Sequence, residues 1–510
     1  MSFGKVLIAN RGEIAVRIAR ACRDLGLRSV AVYSEADARS PHVIAADEAV
    51  CVGPAEAARS YLDVDALLAA CASTGADALH PGYGFLAENA DFARRVVEAG
   101  LVFVGPPAEA IAAMGDKTAA RARMIEAGVP VVPGSREALS DAAEAAAAAD
   151  EIGYPVLLKA AAGGGGKGMR VVEDPNGLAA ALEAAGREAK QAFGDGRVYL
   201  ERYLARPRHV EIQVLGDAHG RLIHLGEREC SIQRRHQKLI EEAPSPALDA
   251  ELRARMGGVA CEAARAVDYV GAGTVEFLLQ DGEFFFLEMN TRIQVEHPVT
   301  ELVTGVDLVT WQLRIAAGEA LDVPEEVARP RGHAIECRIG GEDPTAGFLP
   351  ATGTLRALEV PSGPGVRWDG GVEPGTEVGL NYDPLLGKLI TWGENRGEAI
   401  DRMRRALGEL RISGIRTTVP FHLAVMDEPD FRAGELSIRY LEEHADLVST
   451  AGGWTDRAAL AAVVLLEDAR RDGGTASVSG AAPGGREPQP GRRRGAGERS
   501  AWQRALEGDR

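Results

Sequence analysis

The chain begins with two short apolar runs, separated by a stretch in which apolar residues recur at helical spacing. Residues 5–10 and residues 29–33 are the two runs, and each predicts a buried strand. The stretch between them predicts a helix with one apolar face. That face contains Ile14, Ile18, Cys22 and Leu25. The order strand, helix, strand predicts a βαβ unit of a parallel sheet. No Gly-x-Gly-x-x-Gly motif follows the first strand, so dinucleotide binding is not supported.

A second unit begins near residue 114 and leads to a glycine-rich loop. An alanine-rich helix is predicted over about residues 141–152, followed by a strand over residues 154–159. The loop then contains four successive glycines, from residue 163 to residue 166, whose N–H groups could approach phosphate oxygens. Lys159 and Lys167 would add positive charge. The spacing is not that of a P-loop, and a plain flexible loop is the alternative interpretation.

Two further predicted strands lead into a basic loop. Residues 198–204 form a strand that could offer backbone groups to a nucleotide base. Residues 208–214 alternate between apolar and polar positions, which places His209 on the polar face. Taken alone, that residue is more simply interpreted as a hydrogen-bonded surface histidine. Residues 230–238 gather cationic and titratable side chains, which suits an anionic ligand, although a solvated run of charges would look the same.

Polar residues follow an apolar run at residues 284–287, and alternate side chains along an extended segment share one face. Glu288, Asn290 and Arg292 would therefore lie together, with Gln294 next at the same spacing. The preceding residues 273–283 predict the first strand of a hairpin, and its turn decides whether Glu276 faces Glu288. A two-residue turn places them on opposite faces; we favour a three-residue loop with Gly282 in the left-handed region, which places them together. Their oxygens would then suit Mg²⁺ or Mn²⁺ on nucleotide phosphates.

Composition narrows the class of protein. A length of 510 residues predicts about three domains. The net charge of −18 makes nonspecific binding to nucleic acid or to an anionic membrane unfavourable. The six cysteines include no Cys-x-x-Cys pair, which favours free thiols in a reducing compartment. No signal peptide and no long apolar run is visible, so we expect a cytoplasmic protein.

Lysine is scarce in this sequence. Only seven of the 57 basic residues are lysines, and the rest are arginines. A codon bias towards arginine is the simplest interpretation of this ratio. Lysine should nevertheless be kept where a compact ammonium is needed and a planar guanidinium would not fit. The lysines are Lys5, Lys117, Lys159, Lys167, Lys190, Lys238 and Lys388.

Five motifs, in order and at matching spacing, resemble those of biotin carboxylases, the ATP-grasp components of biotin-dependent acyl-CoA carboxylases. They are residues 8–15, residues 80–86, Lys159 with its glycine loop, residues 233–238 and residues 288–297. The resemblance extends to about Glu443. It implies an α/β protein with a Rossmann-like N-terminal domain (1–113), an ATP-grasp domain (114–330) with a mobile lid (about 131–203), and an α+β C-terminal domain (331–446).

The resemblance also implies a role for individual residues. Those matching the ATP site are Lys117, Lys159, Glu201, Leu204, His209, Gln233 and His236, with the lid residues Gly163, Gly164, Gly165, Gly166, Lys167 and Gly168. Those matching ligands of two divalent cations are Glu276, Glu288 and Asn290. Bicarbonate would be held by Lys238, Arg292, Gln294 and Val295, and deprotonated by Glu296. Arg338 would face the biotin ureido oxygen, and Asp383 lies in the last motif.

The implied reaction is the ATP-dependent carboxylation of biotin. Bicarbonate is phosphorylated to carboxyphosphate, which releases CO₂ next to biotin, and the chemistry requires metals, lysines and lid amides around the phosphates. Arg338 would stabilise the enolate-like oxygen of biotin. A homodimer acting with a biotin carboxyl carrier protein and carboxyltransferase subunits is expected. A catalytically silent scaffold subunit is the alternative, although every charged position that the chemistry needs is filled.

The composition changes after about His444. Residues 454–471 could form one amphipathic helix, and from residue 472 the chain is rich in Gly, Ala, Ser, Pro and Arg. Such a segment buries little apolar surface, so we expect the 447–510 tail to be a helix followed by disorder. The last lysine is Lys388, and a biotin carrier needs a lysine for its amide. We therefore expect biotin on a separate carrier protein.

Overall fold

The computed structural model describes residues 2–135, 139, 141–160, 169–193 and 196–450. The predictions for the glycine loop and for the tail beyond residue 450 lie outside these residues. In the part of the chain that is described, no helix combines the length and the apolar character that a membrane span requires. All six cysteines are described, and they are free thiols.

The N-terminal region is a parallel sheet covered on both faces. Its strands are β1 (Lys5–Ile8), β2 (Arg28–Ser34), β3 (Glu48–Gly53), β4 (Ala78–His80) and β5 (Val102–Phe103), in the order β3-β2-β1-β4-β5. Its helices are α1 (Gly12–Asp24), α2 (Pro41–Ala45), α3 (Val64–Thr74), α4 (Ala90–Glu98) and α5 (Ala108–Gly115). Val6 and Ile8 pack with α1 in one apolar cluster, whereas Leu7 packs with α3 and α4 in another. The predicted βαβ unit is confirmed.

A smaller sheet follows in the region predicted to be the lid. Its strands are β6 (Val156–Ala160), β7 (Arg170–Val172) and β8 (Val198–Arg202), in the order β7-β6-β8, and all pairs are antiparallel. The helices of this part are α6 (Lys117–Glu126), α7 (Ala142–Ile152) and α8 (Pro175–Phe193). Asp141 caps α7 by accepting hydrogen bonds from Ala143 N and Glu144 N, as expected for aspartate before an alanine-rich helix. The apolar sides of α7 and α8 pack on β6 and β8.

The remaining strands include one large antiparallel sheet. In chain order they are β9 (Arg208–Gly216), β10 (Leu222–Arg234), β11 (Gln237–Ala243), β12 (Gly271–Gln280), β13 (Glu283–Asn290), β14 (His333–Gly340), β15 (Glu342–Asp343), β16 (Leu349–Pro350), β17 (Gly353–Thr354), β18 (Ala357–Glu359), β19 (Val366–Gly370), β20 (Glu377–Val378), β21 (Leu385–Gly393) and β22 (Arg411–Ser413). Eight of them form a sheet in the order β13-β12-β9-β10-β11-β14-β21-β19. The pairing of β11 with β14 therefore joins the predicted ATP-grasp region to the predicted C-terminal region.

Helices pack on both faces of this sheet. They are α9 (Ala250–Arg265), α10 (His297–Thr304), α11 (Leu308–Ala316), α12 (Arg396–Glu409), α13 (Val419–Asp427), α14 (Pro429–Ala433), α15 (Tyr440–Glu443) and α16 (Asp446–Thr450). Val210, Ile212 and Val214 of β9 pack with the apolar side of α9. The alternating residues His209 and Glu211 therefore point to the opposite face, where they are buried as well.

The β12–β13 hairpin corrects one prediction. The turn has two residues, Asp281 and Gly282, both with positive φ, and Gln280 pairs with Glu283. The predicted three-residue loop is therefore wrong. A register shift between Glu276 and Phe277 inserts one extra residue in β13, so Glu276 still pairs directly with Glu288. The two glutamates share a face, as predicted, because of a β-bulge and not because of the turn.

Candidate active site

A pocket of about 340 Å³ is lined by residues from the small sheet and from the large one. Its walls are mostly apolar with a few polar side chains, which suits a flat heterocyclic base. Four predicted nucleotide-site residues line it: Lys159, Glu201, Leu204 and His236. The other lining residues are Val132, Leu157, Met169, Val171, Arg202, Tyr203, Leu278 and Ile438. The structure thus brings together residues that lie far apart in the sequence.

Two of these residues form an ion pair in the pocket wall. Lys159 of β6 and Glu201 of β8 lie on paired antiparallel strands. The Lys159 ammonium contacts the Glu201 carboxylate directly. The predicted phosphate-binding lysine is therefore held at the pocket by the neighbouring strand.

His236 reaches the pocket from a tight turn between β10 and β11. Arg234 pairs with Gln237, which leaves Arg235 and His236 as the turn residues. Both have positive φ, 48° and 67°, a conformation that residues other than glycine rarely adopt. Such a backbone outlier is maintained only by surrounding structure, and at a pocket it is consistent with a functional constraint.

The pocket continues along the sheet into a charged cluster. Leu278 and His236 line the pocket. Glu276 lies two positions before Leu278 on β12, a distance of about 7 Å along the strand, and Lys238 lies two residues after His236 at the start of β11. A ligand whose base occupies the pocket would therefore extend its polar end towards these two charges.

Lys238 lies at the centre of that cluster. Its Nζ donates to Glu211 Oε2 at 2.5 Å, to Glu276 Oε1 at 2.8 Å and to Glu296 Oε1 at 2.6 Å. Burial opposes the positive charge, but the three carboxylates outweigh burial and hold the pKa of Lys238 well above its ordinary value. A compact ammonium that contacts three carboxylates agrees with the expectation for a retained lysine.

A row of charged residues crosses four strands beside Lys238. Glu288, Glu276, Glu211 and Arg228 are directly paired across β13, β12, β9 and β10. The Arg228 guanidinium is fully buried and donates to Glu211 Oε1 at 2.5 Å. Adjacent buried carboxylates repel one another and are stable only when a positive charge such as Arg228 lies next to them. Sequence reasoning did not assign Glu211 or Arg228 to the site, although the alternation of β9 already placed Glu211 on the polar face.

His209 is a member of this site and not a surface residue. It is buried, and its Nε2 lies 3.0 Å from Glu276 Oε2. Burial lowers the pKa of His209, but Glu276 and Glu211 together outweigh burial and raise that pKa to about 9. The surface-histidine interpretation is therefore wrong.

The site also offers oxygen ligands for a cation. Glu211 and Glu276 present carboxylate oxygens within 4.8 Å of each other, and the His209 imidazole lies beside them. Asn290 Nδ2 donates to Glu276 Oε1 at 2.9 Å, which places its amide beside the predicted carboxylate pair. Carboxylate and amide oxygens are the donors that Mg²⁺ and Mn²⁺ prefer, so these residues fit a divalent cation.

Glu296 and Arg338 meet at the other end of the cluster. Arg338 Nη2 lies 2.8 Å from Glu296 Oε2, and its Nε donates to Glu241 Oε1 at 2.6 Å. Burial raises the pKa of Glu296, but Lys238 and Arg338 outweigh burial and lower it below its ordinary value. Glu296 is therefore kept as a carboxylate, the form that a general base requires. Burial raises the pKa of Glu241 to about 7 in spite of Arg338.

The segment after β13 departs from the simple alternation. Arg292 turns towards the N-terminal region and donates from Nε to Glu88 Oε2 at 2.8 Å. It also donates from Nη2 to Asn290 Oδ1 at 3.1 Å. Gln294 is buried and donates to Glu276 Oε1 at 2.8 Å, whereas the Val295 carbonyl accepts from Lys388. Strand β13 ends at Asn290, so the period of two does not extend to Arg292.

The other predicted residues are more dispersed. Gln233 is buried and donates to the Cys230 carbonyl at 2.8 Å. Asp383 is exposed and lies 4.0 Å from Arg11 Nη1, apart from the pocket lining. Lys117 begins α6, but its side chain is outside the described residues, as is the whole stretch from Gly163 to Gly168.

The three regions of the chain define an ATP-grasp ligase. Residues 2–111 match the family described as "Biotin carboxylase, N-terminal domain". Residues 116–323 match "Carbamoyl-phosphate synthase L chain, ATP binding domain". Residues 336–443 match "Biotin carboxylase C-terminal domain".

This chain aligns with similar curated proteins over nearly the full length of those proteins. Biotin carboxylase 1 of Bacillus subtilis is 53% identical over 442 residues, 86% of this chain and 98% of that protein. The biotin carboxylase of a Nostoc species is 52% identical over 444 residues, 87% of this chain and 99% of that protein.

Solved structures have the same fold. The biotin carboxylase domain of a thermophilic 2-oxoglutarate carboxylase bound to bicarbonate has a TM-score of 0.84 at 48% identity, covering 88% of this chain and 99% of that one. The biotin carboxylase component of a pyruvate carboxylase has a TM-score of 0.80 at 50% identity, covering 88% and 99%. The chain belongs to the biotin carboxylase family. It is an ATP-dependent ligase that carboxylates biotin, and the predicted fold class is confirmed.

Proposed function

We propose that ATP binds with its base in the pocket of Lys159, Glu201, Leu204 and His236 and with its phosphates towards Lys238. The observation that supports this proposal most directly is the pair of contacts that Lys238 makes with Glu276 and Glu296. The Lys238 ammonium contacts Glu276 on the metal side and Glu296 on the side of Arg338, so one cation joins the two halves of the reaction. Lys117, Gln233 and the lid residues 163–168 are proposed to complete the nucleotide site.

Glu276, Glu288 and Asn290 are proposed to hold two Mg²⁺ or Mn²⁺ ions, with His209 and Glu211 beside them. Bound there, the ions would neutralise charge on the phosphate oxygens during phosphoryl transfer. The paired register of Glu276 and Glu288 supports this role, because it aligns two carboxylates on one face of the sheet.

Bicarbonate is proposed to bind between Arg292, Gln294, Val295 and Lys238. Glu296 takes the bicarbonate proton, and a bicarbonate oxygen forms a bond to the γ-phosphorus of ATP while the bond from that phosphorus to ADP breaks. The carboxyphosphate formed separates into CO₂ and phosphate. Lys238 and Arg338 keep Glu296 ionised, which is the state that a base must have.

Arg338 is proposed to bind the ureido oxygen of biotin. Phosphate removes the proton from the ureido nitrogen, the oxygen gains negative charge, and the nitrogen forms its bond to CO₂. The guanidinium lies beside Glu296, so biotin bound there would be next to the bicarbonate residues. Asp383 is proposed to act at the outer side of this site.

We propose that the chain acts as a homodimer on biotin carried by a separate carrier protein, and that a carboxyltransferase subunit passes the carboxyl group to acetyl-CoA or another acyl-CoA. Since pyruvate and 2-oxoglutarate carboxylases are also among the similar proteins, those two keto acids are the competing acceptors. Proteins that co-purify with the chain, assayed with each acceptor, distinguish them.

The site assignment is tested by ADP release with and without bicarbonate and free biotin. We expect bicarbonate-dependent ADP release that biotin stimulates, and loss of both in Glu296→Gln. Absence of any bicarbonate-dependent ATP cleavage in the purified wild-type protein would leave only a scaffold role. Full activity of Glu296→Gln would refute the assignment of the base.

A further inference from the structure

Lys388, the last lysine of the sequence, is fully buried beside residues 292–296, which are proposed to bind bicarbonate. Lys388 of β21 pairs with Arg338 of β14 on one side and with Asp369 of β19 on the other. Its side chain has no exposed surface. Its Nζ donates to the Val295 carbonyl at 2.8 Å and lies 3.1 Å from Glu13 Oε1. A buried ammonium needs such partners, because burial of an unpaired charge is costly.

The carbonyl that Lys388 holds belongs to the peptide bond between Val295 and Glu296. The orientation of that peptide determines how the chain enters α10, which begins at His297. The Glu296 side chain must reach Lys238 from this point, at 2.6 Å. A rotation of the peptide would therefore move both the proposed base and the neighbouring Val295 backbone.

The other partner of Lys388 comes from the N-terminal region. Glu13 lies in the first turn of α1 and is buried. The Tyr83 hydroxyl donates to the same Glu13 oxygen that faces Lys388. Lys388 thus joins α1, β21 and the segment after β13 through one buried charge. Asp369 lies farther away, at 3.9 Å, and has its own partner in Arg367.

We propose that Lys388 is a positioning residue for bicarbonate: it holds the Val295–Glu296 peptide in the orientation that presents these residues to the anion. This inference rests on the proposed role of Glu296 and Val295 in bicarbonate binding. A purely structural role would instead consist of neutralising Glu13. The two roles predict different values of KM for bicarbonate when the charges of Lys388 and Glu13 are removed together.

The test compares Lys388→Met with the double variant Lys388→Met/Glu13→Gln in the full-length protein. In the double variant no buried carboxylate is left unpaired at Glu13, so the thermal stability lost in the single variant should largely return. The Val295 carbonyl still lacks its donor. We therefore expect KM for bicarbonate to rise about tenfold in both variants, while KM for ATP changes less than about twofold.

Arg253→Met is the matched control. Arg253 donates to the buried Glu227 at 2.7 Å and 2.8 Å, away from residues 291–296. This variant should lose thermal stability and keep its KM for bicarbonate. If the single Lys388 variant does not fold, the double variant alone decides the question.

A wild-type KM for bicarbonate in the double variant would overturn the inference and leave Lys388 as a counter-ion for Glu13. Glu296→Gln separates this failure from a failure of the proposed function. If Glu296→Gln is inactive while the double variant has a normal KM, only the role of Lys388 is wrong. If Glu296→Gln retains bicarbonate-dependent ATP cleavage, the proposed bicarbonate site itself is wrong.

Discussion

The contacts of Arg338 predict that the two half-reactions can be separated by Arg338→Gln. Nε and Nη2 of Arg338 are occupied by Glu241 and Glu296. Among the described residues Nη1 has no hydrogen-bond partner, so this group is available to the biotin oxygen. The loss of one preorganised cation at a developing oxyanion costs about 3–4 kcal/mol, or about 10²–10³-fold in biotin carboxylation.

Phosphorylation of bicarbonate should suffer much less. Lys238 remains on Glu296 at 2.6 Å and is the larger cause of its low pKa. The loss of the Arg338 contact moves the pKa of Glu296 upward, towards its ordinary value. Since Glu296 acts as a carboxylate, the acid limb of ATP cleavage should shift to higher pH. At pH 8 we expect bicarbonate-dependent ATP cleavage within about tenfold of the wild type.

The assay measures ADP release and transfer of labelled bicarbonate to biotin on the same samples. Arg396→Gln is the control, because Arg396 pairs with the buried Glu242 next to Glu241 and makes no contact with Glu296. It should leave the ratio of the two activities unchanged. An equal loss of ADP release and biotin carboxylation in Arg338→Gln would refute a role confined to biotin.

Three further predictions follow from the same contacts. Glu288→Gln should raise the Mg²⁺ concentration needed for half-maximal ATP cleavage without changing the circular dichroism spectrum; an unchanged Mg²⁺ dependence would contradict the metal assignment. Because the pKa of His209 is raised to about 9, its ion pair should stabilise the protein fully below about pH 6.5 and lose that effect as pH rises through 9. Urea unfolding should therefore show His209→Asn less stable than the wild type by about 3 kcal/mol near pH 6, with the gap closing above pH 9, and a pH-independent gap would exclude the ion pair. After expression with a biotin ligase, labelled streptavidin should detect biotin on a smaller co-purifying protein, and a covalent signal on this chain would refute the separate carrier.

Much of the architecture could be predicted from local patterns. The first βαβ unit follows from two apolar runs and one helical stripe, because burial on both faces of a parallel sheet requires such runs. The helix after Asp141 follows from an N-cap aspartate before alanines. The motifs around Lys238 and Glu288 also identified the family, which the matches of all three regions confirm.

The hairpin shows where local reasoning fails. The Asp281–Gly282 sequence is a strong signal for a two-residue turn, and the turn is present. With regular alternation that turn would place Glu276 and Glu288 on opposite faces, so a three-residue loop was predicted instead. A bulge in β13 changes the register by one residue, and a bulge has no reliable signature in the sequence.

The sequence by itself determined the parallel N-terminal unit, the strands and helices of the ATP-binding region, and the residue types that the chemistry needs. Only the tertiary structure decided which charges meet: Lys238 with Glu211, Glu276 and Glu296, His209 with Glu276, and Lys388 with Glu13 and the Val295 carbonyl. The physical reason is the separation along the chain of the residues that interact. Hydrophobic periodicity acts between neighbours in the chain, whereas the neutralisation of buried charges depends on strands that pair across distant segments, and no local pattern encodes those partners.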